Sequence, residues 1–132
     1  ERGSALFGAF RITWQPARMP DRLARGGWTT WIPRGAWTLR TPAPGDALVP
    51  LGGVGHRPLR RLLMEARVPR AARACYPVVT SGAEAVLGGE GDATILWVPG
   101  ICRSADGVPA PGTEAVRLDV TEHGSAAADG RP

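Results

Sequence analysis

Six arginines, Arg57, Arg60, Arg61, Arg67, Arg70 and Arg73, fall within 17 consecutive residues and are opposed there only by Glu65. A guanidinium offers a planar fork of donors that grips phosphate oxygens two at a time and stacks on bases, so such a cluster is chemistry for polyanions. Charged faces of amphipathic helices are commonly just solvated, but a face made only for solubility mixes acids with bases, and this one is almost uniformly positive. Just upstream, Leu51-Gly52-Gly53-Val54-Gly55 leads into His56. That run is either a plain turn or a place where bare backbone approaches a sugar-phosphate chain, with His56 and Arg57 as donors. It is not an ATP-cradling loop, because that motif needs a lysine and the chain has none.

Little else is equipped for catalysis. His56 and His123 are the residues whose ordinary titration lies near neutrality, and neither completes a triad. Cys75 and Cys102 are too few and too far apart for a zinc motif or a disulfide framework, and are expected to be small buried apolar residues in a reducing compartment. Five tryptophans, Trp14, Trp28, Trp31, Trp37 and Trp97, have faces on which bases stack, yet each sits in a strand-like pattern that reads mostly as core. Trp28 and Trp31 cannot both face the core of one regular strand, so one of them is expected outside.

The elements that hold these residues follow from periodicity. Leu6, Phe10, Ile12 and Trp14 alternate with Arg11 and Thr13, which predicts a half-buried strand. Residues 15–27 read as a connecting loop. Residues 28–32 and 36–41 read as two strands paired through a tight turn at Pro33-Arg34-Gly35. Residues 42–55, rich in Pro and Gly, must be irregular backbone. Pro58 suits a helix start and Pro69 stops the helix about three turns later. Between them Leu59, Leu62, Leu63 and Ala66 make one apolar stripe, with Arg57, Arg60, Arg61 and Arg67 on the opposite side. A further helical turn at residues 70–74, strands at 76–80 and 94–98, a loop at 81–92, and a strand placing Val116, Leu118 and Val120 inward complete the series. From Thr121 onward a disordered tail is expected.

The length suits one domain with a real core. The net charge of +4 is compatible with nucleic acid without requiring it. All 16 basic residues are Arg and Asn is absent, which reads as the bias of a GC-rich genome. No apolar run approaches the roughly 18 residues of a membrane span and no signal peptide is visible, so a cytoplasmic protein is expected. The start at Glu1 without Met suggests a piece of something longer.

Across residues 39–103 runs an ordered series of short motifs: Leu39-Arg40, Pro44-Gly45-Asp46, Pro50-Leu51-Gly52, His56-Arg57 with Arg60-Arg61, Arg67-Val68-Pro69-Arg70, Arg73, Pro77-Val78-Val79 and Ile95-Leu96-Trp97-Val98-Pro99-Gly100-Ile101. In that order the series resembles the C-terminal domain of the tRNA(Ile)-lysidine synthetases. The resemblance implies an α+β fold: a small β-sandwich-like mixed sheet with one or two short helices, shared with the phenylalanyl-tRNA synthetase beta subunit. It implies a bacterial parent enzyme that uses ATP, with Mg, to ligate lysine to the wobble cytidine of isoleucine tRNA. In that parent an N-terminal domain with a Ser-Gly-Gly-x-Asp-Ser loop handles ATP, and Ser81-Gly82-Ala83 does not match that loop. No cofactor and no catalytic residue is then expected in this chain. Its partners would be isoleucine tRNA and the catalytic domain of the same polypeptide, with no membrane.

Residues 1–36 match the family poorly and read as N-terminal strands and linker, 37–120 as the tRNA-binding domain, and 121–132 as the tail. Ala43 and Ala47 stand where the family often has basic residues beside the Gly-Asp pair. The tRNA-contacting set is expected to be Arg40, His56, Arg57, Arg60, Arg61, Arg67, Arg70 and Arg73. The alternative is a basic docking module whose Arg face meets an acidic protein surface.

Overall fold

The computed structural model describes residues 2–82 and 94–122. In chain order its first elements are β1 (Gly3–Phe7), β2 (Phe10–Arg18), β3 (Thr29–Ile32), β4 (Trp37–Arg40), β5 (Ala47–Leu48) and β6 (Arg57–Pro58). They are followed by α1 (Leu59–Glu65), α2 (Arg70–Arg73), β7 (Val78–Ser81), β8 (Ile95–Val98), β9 (Cys102–Arg103) and β10 (Glu114–Glu122). One sheet runs β1-β2-β10-β3, a second β4-β7-β8-β9, and β5 and β6 form a small ribbon. The result is the α+β, mostly sheet architecture expected, although every ladder described is antiparallel rather than mixed.

Register explains the first sheet. Ile12 lies opposite Val120 and Trp14 opposite Leu118, while Leu118 and Val116 lie opposite Thr30 and Ile32 on the other side. The alternating apolar residues of three strands therefore share one face, and a slip of one residue would turn each set to water. In the second sheet Val78, Val79 and all of β8 are buried, so that sheet is covered on both faces. One core cluster holds Phe10, Ile12 and Leu118 of the first sheet together with Val79 and Trp97 of the second and Leu59, Leu62 and Leu63 of α1. Burying each of those leucines contributes roughly 2 kcal/mol.

Tyr76 sits edge-on to Phe10 at 5.2 Å and donates its hydroxyl to the Pro99 carbonyl at 2.6 Å. Burial, reinforced by Glu122, pushes this phenol up to about 12. Trp28 stacks near Phe10 and lies over Gly100, where a β-carbon would collide with the indole.

Five expectations are corrected. Residues 6–14 are not one strand: a turn at Gly8-Ala9 separates β1 from β2, its antiparallel partner, and β2 runs on to Arg18 through the first part of the expected loop. Strands β3 and β4 are not a hairpin, because β3 pairs with β10 and β4 with β7. Pro33-Arg34-Gly35 marks a bend, but a bend does not say in which sheet the next strand lands. Apolar partners decide it: Ile32 meets Val116 and Leu39 meets Val79. The residues placed in the tail at 121 and 122 are the end of β10, paired with Arg11 and Phe10. Cys75 is exposed while Cys102 is buried. Of the tryptophans only Trp97 is fully enclosed; Trp28 is 43% exposed and the other three are half-buried. His123, the rest of the expected tail and residues 83–92 of the expected loop lie outside the described residues.

Segment 1–36 supplies β1, β2 and β3, and β10 from segment 37–120 is hydrogen-bonded between β2 and β3. Both segments are thus built into one sheet.

Candidate nucleic-acid interface

The geometry of the arginine cluster is set by where α1 begins and ends. Pro58 is its N-cap, with φ −64° and ψ 132°, and Ala66 its C-cap. The helix closes when Arg67 turns left-handed at φ 63°, the one non-glycine residue with positive φ among those described. Val68 then donates back to the Leu63 carbonyl at 3.1 Å and Arg67 to that of Met64 at 2.9 Å. This is the Schellman arrangement, which satisfies carbonyls at a helix end. Its apolar partner is Val68, which is buried, whereas Ala66 is exposed. The expected three-turn stripe is therefore a two-turn helix plus Val68. Pro69 follows as the N-cap of α2 rather than as the terminator of α1.

The eight expected contact residues separate into groups. Arg60 and Arg61, on the first turn of α1, are exposed, as are Arg67 at the left-handed turn and Arg70 on α2. Among the described residues none of these four has a carboxylate within ion-pair distance. Arg73 is half-buried and donates its Nε to the Val68 carbonyl at 2.9 Å, which fixes α2 against the end of α1, while the rest of its fork meets no acid among the described residues.

Arg57 departs from expectation. It belongs to β6, ahead of the helix, and its guanidinium pairs with Glu65 at 2.7 Å. Its charge is neutralised by the one acid of the cluster, although the pair is exposed and contributes little. Arg40 departs further. Its fork is bidentate on Asp46, at 2.9 and 3.0 Å, and the same carboxylate accepts the Ala43 amide at 2.7 Å. Arg40 thus braces residues 41–46, and Asp46 acts as the turn-former its position suggested. His56 lies exposed in the glycine-rich turn between β5 and β6.

Sequence reasoning missed Arg103. This side chain is completely buried, and its guanidinium donates to the Thr30 hydroxyl and to the carbonyls of Leu96, Ser104, Asp106, Trp31 and Gly107, between 2.7 and 3.0 Å. It thereby joins β3 of one sheet to β8 and β9 of the other. Burial pulls its pKa down to about 10, with Asp106 opposing the shift, so it stays cationic at neutral pH. No spacing rule points to it, because its acceptors come from separate parts of the chain.

What this surface can do is bind. Four guanidiniums without an acidic partner among the described residues, and a fifth half-used one, lie on two short consecutive helices and the turn between them, anchored to the core by the leucines and Val68. Among the described residues no three His, Cys, Asp or Glu side chains come together as a metal site, and no helix is long and apolar enough to cross a membrane.

Comparison with known proteins agrees with these features. The family described as "TilS substrate C-terminal domain" matches residues 37–120, which include the whole arginine cluster. A tRNA(Ile)-lysidine synthase of Symbiobacterium thermophilum is 36% identical over 110 residues, covering 80% of this chain and 20% of that protein. A second, from Geobacillus kaustophilus, is 36% identical over 67 residues, covering 51% of this chain and 12% of that protein. The chain therefore spans a fifth or less of the length of these relatives. A crystal structure of a TilS C-terminal domain superposes with a TM-score of 0.73 over 91% of this chain and 90% of that one, at 23% identity, and so shares its fold. With the family matched over most of its length, the chain belongs to the TilS substrate C-terminal domain family.

Proposed function

We propose that this domain holds isoleucine tRNA for a tRNA(Ile)-lysidine synthetase. In this reading a separate N-terminal ATP-pyrophosphatase domain of the same polypeptide, using ATP with Mg and lysine, ligates lysine to the wobble cytidine. The domain supplies affinity and selectivity, and its setting is the bacterial cytoplasm. The observation that carries the reading is the exposure of Arg60, Arg61, Arg67 and Arg70, with no ion-pair partner among the described residues, within the family-matched stretch. The names of the two relatives support the choice of tRNA as the polyanion.

Neutralising phosphates releases their counterions, so affinity must fall with salt. With about four phosphates engaged, the logarithm of the tRNA association constant is expected to fall against the logarithm of salt concentration with a slope on the order of −3. Fluorescence anisotropy with labelled tRNA across a salt series measures this. An affinity indifferent to salt defeats the reading, and co-purification with an acidic protein in its place would favour a docking role.

A further inference from the structure

The arginine ridge is not the only place suited to a nucleotide. The end of β2 and the start of β10 border a cleft. Trp14, Pro16 and Arg18 lie there on one face, opposite Leu118, Val116 and Glu114 in register. From the second sheet, Trp37, the first residue of β4, lines the same place. Among the described residues all of these but Leu118, with Arg34 and Gly35 of the inter-sheet connection, line the cleft, whose volume is about 570 Å³. That volume lies within the roughly 300–1,000 Å³ of small-molecule sites.

We propose that this cleft binds a single unpaired nucleotide, with the base against Trp14 and Trp37 and the phosphate between Arg18 and Arg34. The two indoles meet edge to face, with centroids 5.3 Å apart and planes at 79°, so they form an aromatic corner rather than a closed stack. Both are half-buried, held in place but still reachable. A planar ring entering the corner lies on the face of one indole and against the edge of the other, which is how unpaired bases are commonly held.

The charge complements a phosphate. Arg18 spends one nitrogen on the Gly112 carbonyl and keeps the rest of its fork. Arg34 is paired with Glu114 at 2.8 Å, but the two side chains are 66% and 68% exposed, so a phosphate displaces the carboxylate at small cost. The ridge of α1 and α2 contributes no residue to this cleft, which therefore adds a second, base-reading contact. That the nucleotide belongs to an RNA rests on the function proposed above; the fit of base and phosphate does not.

Indole N–H signals in 1H–15N spectra of the 132-residue chain test this directly. Adenosine 5′-monophosphate is expected to move the Trp14 and Trp37 signals and leave that of buried Trp97 in place. Adenosine should act more weakly, and inorganic phosphate should not shift the indoles in the manner of stacking. Arg34→Glu, an exposed change, and Trp37→Leu should each weaken binding by about fivefold or more. The Arg34 variant serves should the Trp37 variant fold poorly.

Competition by tRNA for the same shifts would assign the site to an RNA nucleotide; undisturbed binding of the monophosphate in the presence of tRNA would assign it to a free one. Signals of Trp14 and Trp37 unmoved at saturating nucleotide overturn the proposal. So does an Arg34→Glu variant that binds as well as the parent, or an acidic peptide that moves the indoles where the nucleotide does not. Salt-dependent tRNA binding with unmoved indoles would leave the ridge standing and remove the cleft.

Discussion

Arg103 and the pair Arg60 and Arg61 carry the same side chain into opposite surroundings. Around Arg103 the chain folds back from β3, β8 and the residues after β9, so that six oxygens replace the water a guanidinium loses on burial. Around Arg60 and Arg61 there is no such shell: both stand in solvent on a helix whose other side is leucine, with no carboxylate in reach among the described residues. Where oxygens are provided, the arginine is a joint of the fold; where none are, its donors remain turned to solvent. Arg40 falls with the first kind, since Asp46 takes its fork.

The sharpest way to break this contrast is to remove the enclosed cation. Arg103→Met fills part of the space but leaves six acceptors without their donor in a buried site, and such losses cost roughly 3–5 kcal/mol. Urea unfolding of the variant is expected to show most of the domain's stability gone. A shift below about 1 kcal/mol would mean that water serves these oxygens equally well and that the joint is unimportant.

Arg60→Ala combined with Arg61→Ala is the converse. Stability should change by no more than about 0.5 kcal/mol, because both side chains lie off the buried stripe. Affinity for tRNA should fall by about 1–3 kcal/mol, and the salt slope should shrink toward about half its parent value. Unfolding of the double variant would show that these residues belong with Arg103 after all.

That contrast was only partly legible in the sequence, and the reasons are physical. Alternation revealed β10 and the first half of β2, each with one wet and one dry face, but not the turn that splits β1 from β2 or the run of β2 to Arg18; the apolar run Ile95-Leu96-Trp97-Val98 revealed a strand dry on both faces. The leucine spacing of α1 showed its buried side. Local patterns could not show which strand β3 or β4 would pair with, since the same bend serves a hairpin or a crossing between sheets. Nor could they show that Arg57 would reach Glu65 from β6, or that Arg40 would close on Asp46, because each pairing depends on the path of the backbone between the partners. Arg103 was hidden most completely: a lone arginine beside Cys102 looks like a surface residue until the strands that supply its oxygens have been assembled.

Asp46→Ala sharpens the middle case. It frees the Arg40 fork and leaves the Ala43 amide without its acceptor, so a loss of about 1–2 kcal/mol of stability is expected. If Arg40 acts only as a brace, tRNA affinity of the folded variant should be unchanged. A gain in affinity would mean that the freed guanidinium reaches phosphate, and would return Arg40 to the binding set.

The smallest expected effect is the most discriminating, because stability and binding should move in opposite directions. Arg67 occupies the left-handed position that ends α1, where glycine is the usual residue and a side chain costs roughly 1 kcal/mol. The residue is exposed and lies in the turn between α1, which carries Arg60 and Arg61, and α2, which carries Arg70. Arg67→Gly should therefore raise the unfolding free energy by about 0.5–1 kcal/mol while weakening tRNA binding several-fold. A variant that is more stable and binds equally well would show that the arginine serves neither purpose. One that is less stable would mean that the side chain packs at the helix end, outweighing the relief of its backbone.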